Sequence, residues 1–121
     1  MIDPQVRACI AAIAASMARG QHPRTIFDYS RSRHVTLGGT YHPNSISMFD
    51  YDRGCHVCGS VSGNRLALFD YGRSAHISIT LQGGRFSGFD YGTSAHFCGL
   101  VNGGSVSLYD YSDAEWTQYS N

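Results

Sequence analysis

The chain contains no lysine, one glutamate, one tryptophan and three prolines, and no apolar run long enough to cross a bilayer. Each shortage excludes something. Nine arginines face eight aspartates and one glutamate for a net charge of zero, so no global field draws in nucleic acid or an anionic membrane surface. Neither a nucleic-acid partner nor a transmembrane span is expected. Few prolines, fourteen glycines, eight tyrosines and six phenylalanines suit short strands joined by tight turns, and they argue against a helical bundle. A length of 121 residues allows a single domain, 1–121, with a real core.

Catalytic signatures are missing as well. There is no GxSxG, HExxH, Walker-type or GxGxxG context, so no catalytic residue, metal or cofactor is assigned. Cys9, Cys55, Cys58 and Cys98 have no spacing that suggests a disulfide framework, and they read as free thiols in a reducing compartment, which favours a cytoplasmic location. "CHVC" (55–58) resembles a zinc or redox signal, but in a strand Cys55 and Cys58 point to opposite faces and cannot share an ion.

What is present begins with a helix over 4–19. Asp3 fits the N-cap, Pro4 the first helical position and Gly20 the left-handed end. Val6, Ile10, Ile13 and Met17 form one apolar stripe, which predicts a helix that plugs a barrel mouth or lies along its wall. The remainder, 25–121, is a repeat of about 20 residues. The aspartate of "[FY]DY" recurs at 28, 50, 70, 90 and 110, and His34, His56, His76 and His96 follow four of them by six residues. Trp116 takes that place in the last copy. The irregular stretch 37–47 suggests that the first unit is partial.

Each unit reads as a β-hairpin. In the third copy "RLALFDY" and "HISITL" flank the turn "GRSA", and "QGGR" leads onward. Pairing Tyr71 with His76 sets Asp70 opposite Ile77, Phe69 opposite Ser78 and Leu68 opposite Ile79. Leu81 then pairs with Phe86, and because both turns are even in length the faces never flip. One face carries Leu66, Leu68, Ile77, Ile79, Leu81, Phe86, Phe97, Val101, Val106 and Leu108 with the aspartates at its turn end; this is the core face. The other carries Phe49, Phe69, Phe89 and Tyr109 beside Cys58, Ser78 and Cys98. Open sheets expose raw edges, so the fold class is all-β: a closed or nearly closed barrel of about five β-hairpin repeats plus one N-terminal α-helix.

The tandem "FDYGRSAH...FDYGTSAH...LYDY", with its Gly-Gly links and leading helix, resembles the bacterial four-fold β-flower family of short barrels, over about 25–121. The resemblance implies a ring of hairpin petals around an apolar centre, distantly similar to lipid-associated tubby-like barrels. This chain has five triplets rather than four, and no catalytic residues come with the family.

The candidate ligand-binding set is the belt Phe49, Phe69, Phe89, Tyr51, Tyr71, Tyr91, His56, His76 and His96. Structurally, each histidine would pair across the turn with its tyrosine: Tyr51 with His56, Tyr71 with His76 and Tyr91 with His96. Arg31, Arg53 and Arg73 sit three residues after an aspartate, where they complete turn-local ion pairs or form an anion-binding rim. Repetition supplies like groups, whereas catalysis needs unlike ones, so the expectation is a non-enzymatic binding or assembly module. Its partner would be an apolar small molecule, a lipid, a sugar or a protein, with homo-oligomerisation a further option. Two alternatives stand beside it: a metal- or anion-dependent enzyme using the repeated histidines, and a purely structural repeat.

Overall fold

The computed structural model describes residues 2–20, 25–42 and 44–120. Helix α1, Pro4–Arg19, starts and stops on the expected residues: the Asp3 side chain accepts the Gln5 N–H, and Gly20 turns left-handed at φ 63°. Eleven strands follow: β1 (Ile26–Asp28), β2 (Arg33–Val35), β3 (Leu37–His42), β4 (Ser45–Asp50), β5 (Cys55–Ser62), β6 (Arg65–Asp70), β7 (Ala75–Gln82), β8 (Arg85–Asp90), β9 (Ala95–Asn102), β10 (Ser105–Asp110) and β11 (Glu115–Ser120). They form one antiparallel sheet in the order β2-β1-β11-β10-β9-β8-β7-β6-β5-β4-β3, a nearly closed barrel. The sheet thus has eleven strands rather than the ten of five hairpins. The extra one arises at Thr36, where the chain leaves its partner β1 and takes up β4. Stretch 37–47, expected to be irregular, is mostly the regular strands β3 and β4, with Pro43 outside the described residues. Residue 121, the end assigned to the repeat, lies outside them too.

The two faces are as the alternation requires. Leu66, Leu68, Ile77, Ile79, Leu81, Phe86, Phe97, Val106 and Leu108 are buried in one core cluster, and Val101 packs against it half-buried. Register at the Gly-Gly turns is as expected, with Leu81 opposite Phe86. Gly63, Gly83 and Gly103 hold φ near 60° at the first turn position, the conformation that a two-residue II′ turn demands. At the other turn the expected pairing is shifted. Phe69, not Tyr71, stands opposite His76, Leu68 faces Ile77 and Ala67 faces Ser78, because the four-residue turn is 71–74 rather than 72–75. Ser74 ends that turn at φ 50°, and an Asx bond from Gly72 N to Asp70 Oδ1 starts it one residue earlier. The shift moves two residues along the ladder, so it preserves the faces.

The helix is neither a mouth plug nor a wall element. All of Val6–Ser16 is buried, whichever way the side chain points, and the helix touches β1, β3, β7, β9 and β10. It therefore runs through the lumen. Sixteen residues at 1.5 Å each make a rod of about 24 Å, which matches strands of six to eight residues at about 3.3 Å each. Ala8, Ala11, Ala12 and Ala15 keep the rod thin on the sides away from Ile10 and Ile13. Glycines on the inner face make the wall bend closely around it: a Cβ on Gly99 would lie 2.1 Å from Ser107 O and 2.3 Å from the Phe86 ring.

Because the lumen is full, enlarging the rod has nowhere to go. Ala11→Leu should destabilise the protein by about 1–3 kcal/mol, whereas Ala18→Leu, at an exposed site, should leave the urea midpoint nearly unchanged. Equal midpoints for the two variants would show that α1 is not enclosed.

Candidate functional site

Two arrays of repeated side chains meet at the four-residue turns, one inside the wall and one outside. The inner array is the aspartate series. Asp28, Asp50, Asp70, Asp90 and Asp110 are all fully buried, which an ionised carboxylate tolerates only when it is bonded on every side. Each Oδ1 accepts the backbone N–H two residues on, at 2.9–3.1 Å. Arginine supplies the rest. Arg31, Arg53 and Arg73 donate Nε–H to the aspartate three residues back at 2.7–2.8 Å. Their Nη1 groups reach the following turn: Arg31 to Asp52 at 3.0 Å, Arg53 to Asp70 at 2.7 Å and Arg73 to Asp90 at 2.9 Å. Each of these guanidiniums bridges two carboxylates, so an anion at this rim would have to compete with both. Nη2 of Arg31 and of Arg53 is buried without a partner.

Sequence reading missed how the series ends. Position 93 is threonine, bonded to Asp90 at 2.8 Å, and position 113 is an aspartate. The guanidinium absent from the last turn comes from the helix: Arg7 donates to Asp110 at 2.9 Å and to Asp113 at 2.6 Å, and Ile2 N–H adds a bond to Asp110 at 2.8 Å. The available signal was Arg7 itself, a lone charge at the start of an apolar helical run. For Asp70, burial alone would raise the carboxyl pKa, but hydrogen bonds from Arg73 and Arg53 outweigh it and hold the group below the usual range. Asp110 is likewise held low, by Ser112, the Ile2 amide and Arg7 against the cost of burial.

The outer array is the aromatic belt. Phe27, Phe49, Phe69, Phe89 and Tyr109 are half-buried, and each sits between two further rings. Phe69 meets Tyr71 edge-on at 4.8 Å and His76 at 4.9 Å; Phe49 meets Tyr51 and His56, both at 4.8 Å; Phe89 meets Tyr91 at 4.7 Å and His96 at 4.6 Å. The expected Tyr–His pairs are thus corrected, since both rings pack on the phenylalanine between them. The two-residue shift of the turn is the reason. His56, His76 and His96 are exposed, one to a unit, and among the described residues no three His, Cys, Asp or Glu side chains gather as a metal set. Tyr29, Tyr51, Tyr71, Tyr91 and Tyr111 remain 55–63 % exposed.

Stagger between units makes the belt continuous. Cys58 faces Phe69, which faces His76, so one hairpin's passage around the barrel advances 18 residues against a repeat of 20. This offset tilts the strands and brings each tyrosine beside the preceding unit's histidine: the amides of Tyr71, Tyr91 and Tyr111 bond to the carbonyls of His56, His76 and His96 at 3.0–3.1 Å. Between the ridges lie shallow grooves. One of about 570 Å³ is lined by Ser78, Ser87, Phe89, His96, Cys98 and Tyr111. A second, of about 370 Å³, has His76 and Tyr91 in the equivalent places. All four cysteines are free, with Cys55 near Asp70 and Cys58 on the outer wall beside Ser47. Burial pushes the Cys9 thiol far up, so it stays protonated within the core.

No family model, no curated protein and no solved structure matches this chain.

Removing one carboxylate from the inner array leaves Arg53 and Arg73 each short of a partner. Asp70→Asn should therefore cost about 3–5 kcal/mol, read from chemical denaturation, with Asp3→Asn at an exposed position as the control. The pH dependence follows from the lowered Asp70 and Asp110 values. Their contribution is complete above the ordinary carboxylate value of 3.8 and is lost as pH falls through the lower folded-state values. Stability should hold from neutral pH to about 4 and fall steeply below it, and Asp70→Asn should make that fall shallower. A parallel pH profile for the variant would remove Asp70 from the set.

Proposed function

We propose that this protein is a non-enzymatic binding module whose outer aromatic belt holds a carbohydrate. The observation that carries the reading is the exposure of 55–63 % at five equivalent tyrosines, each propped edge-on by a half-buried ring. Covering the phenylalanine does not require a tyrosine to present most of its surface to water, and such rings, rigid and amphipathic, are suited to contact. The hydroxyls of Ser47, Ser60, Ser78 and Ser87 on the same face, with the exposed imidazoles, offer donors and acceptors beside an apolar ring. That mixture fits the two surfaces of a sugar better than a uniformly apolar lipid chain. Equivalent sites at a fixed stagger favour an extended or branched ligand, which gains by multivalency without any new contact.

The reading extends to architecture and setting. Since Thr36 alone separates β2 from β3, the eleven strands are taken as five hairpin units, with 33–42 serving as one bent strand. The β-flower resemblance and a reducing compartment, which suits four free thiols, are kept as parts of this proposal.

An array of immobilised neutral and acidic oligosaccharides tests the proposal. The intact protein should bind a subset, and Tyr71→Ala with Tyr91→Ala should weaken that binding at least tenfold without shifting the thermal midpoint by more than about 4 °C. Uptake by phosphatidylcholine vesicles without retention on any sugar, or retention indifferent to both substitutions, would overturn it.

A further inference from the structure

The belt is not uniform, and the departure is on the outer face of β6–β11. Ladder pairings place Trp116, Tyr109, Cys98, Ser87, Thr80 and Arg65 in one row across the barrel. Small side chains form the middle of that row, with aromatic rings at one end and an arginine at the other. Three grooves share this floor. The one lined by Trp116, Arg85, Gln82 and Leu100 has a volume of about 370 Å³, and Thr80 also lines both the groove holding His96 and Tyr111 and the groove holding Arg65. They make one trough, edged by a tryptophan that is 55 % exposed.

Charge distinguishes this trough from the rest of the belt. Arg31, Arg53 and Arg73 are all engaged by carboxylates, whereas Arg65 and Arg85 are exposed and their guanidinium groups make no ion pair or hydrogen bond with any described residue. Both occupy the first position of their strand, where β4 and β10 carry serine. On a chain whose charges balance to zero, two uncompensated guanidiniums beside the same hydroxyl-lined floor form a local positive field.

We propose that this trough binds an acidic oligosaccharide, with Arg85 and Arg65 each taking a sugar carboxylate and Trp116 stacking on a pyranose face. The inference rests on the carbohydrate reading of the belt and names its ligand class. Arginine's planar fork matches a carboxylate bidentately, which a hydroxyl cannot reproduce. Thr80 and Ser87, on neighbouring strands, meet the ring hydroxyls, and Tyr111 with His96 bounds the next sugar along. Nucleic acid is a poor fit: two arginines neutralise too few phosphates to hold a strand at physiological salt.

Isothermal titration of the whole protein with trigalacturonic acid and with its methyl ester separates the possibilities. The acid should bind at least tenfold more tightly than the ester. Arg85→Gln and Arg65→Gln should each reduce that difference, the double variant should erase it, and Trp116→Ala should weaken both probes. All three side chains are exposed, so thermal midpoints should hold. An ester as tight as the acid, or a double Arg85→Gln, Arg65→Gln variant that still discriminates as the parent does, would overturn the acidic trough. In that case, ester binding lost on Tyr111→Ala would leave the belt reading standing. If neither probe binds, while neutral sugars bind through Tyr71 and Tyr91, the trough fails alone; if no sugar binds at all, both readings fall.

Discussion

An ionised carboxylate inside a barrel is stable only where backbone amides and guanidinium groups surround it, and the rest of this structure depends on that requirement being met at each four-residue turn. The Asx bond to the i+2 amide fixes where the turn begins. Arginine then joins one turn to the next through a second carboxylate, so the turns stabilise each other as well as their own hairpins. The linkage also orients the helix. Arg7 and the Ile2 amide supply the last turn, which fixes the N-terminal end of α1 at the aspartate rim, while Arg19 bonds to the Gly103 carbonyl at the opposite rim. An all-apolar rod in an apolar lumen has no such preference, since burial is non-directional. The polar contacts at its two ends decide which way it lies.

How far the fold could be read from sequence follows from this division between local and enclosing constraints. Alternation along Leu66, Leu68, Ile77 and Ile79 identifies the inner face, because parity survives any even shift of register. Glycine pairs locate their turns directly, since few other residues accept φ near +60°. The aspartate turn was harder. Choosing "GRSA" as the loop treated glycine as the opening residue, whereas the Asx bond from Gly72 opens the turn at Tyr71, and serine accepts the left-handed end. The position of α1 was also beyond the pattern. Val6, Ile10, Ile13 and Met17 read as a stripe because alanine is neutral in such a comparison, yet Ala8, Ala11 and Ala14 are as completely enclosed as Ile10. A helix encased by sheet needs small residues on its remaining sides, and that need is visible only once the wall surrounds it.

The belt was legible as a set of residues but not as a geometry. Phe49, Phe69 and Phe89 with their tyrosines and histidines form clusters, with the phenylalanine at the centre rather than beside a Tyr–His pair. That arrangement leaves the outer rings exposed and removes most of their freedom, which lowers the entropic cost of ordering them against a ligand. The trough lay outside the pattern altogether. Trp116 was recognised only as a departure from histidine, and Arg65 stood at the start of a strand and Arg85 in the linking turn, with no role assigned to either until the ladder aligned Arg65 with Thr80 and Ser87.

Near-identical sequence segments build most of this wall, but equivalent grooves cannot by themselves distinguish one direction around the sheet from the other. The departures from repetition therefore carry the asymmetry, and they do so separately on the two faces. Inside, aspartate at 113 makes the last turn unlike its siblings and recruits Arg7, so the helix has a single seat. Outside, arginine replaces serine at 65 and 85, and tryptophan replaces histidine at 116, so one trough differs in charge and in stacking area from the remainder of the belt. Neither set of changes disturbs the other, because side chains at neighbouring strand positions point to opposite sides of the wall. A wall of this kind can vary its outer surface unit by unit while the carboxylate–guanidinium chain beneath it keeps the barrel and its central helix in place.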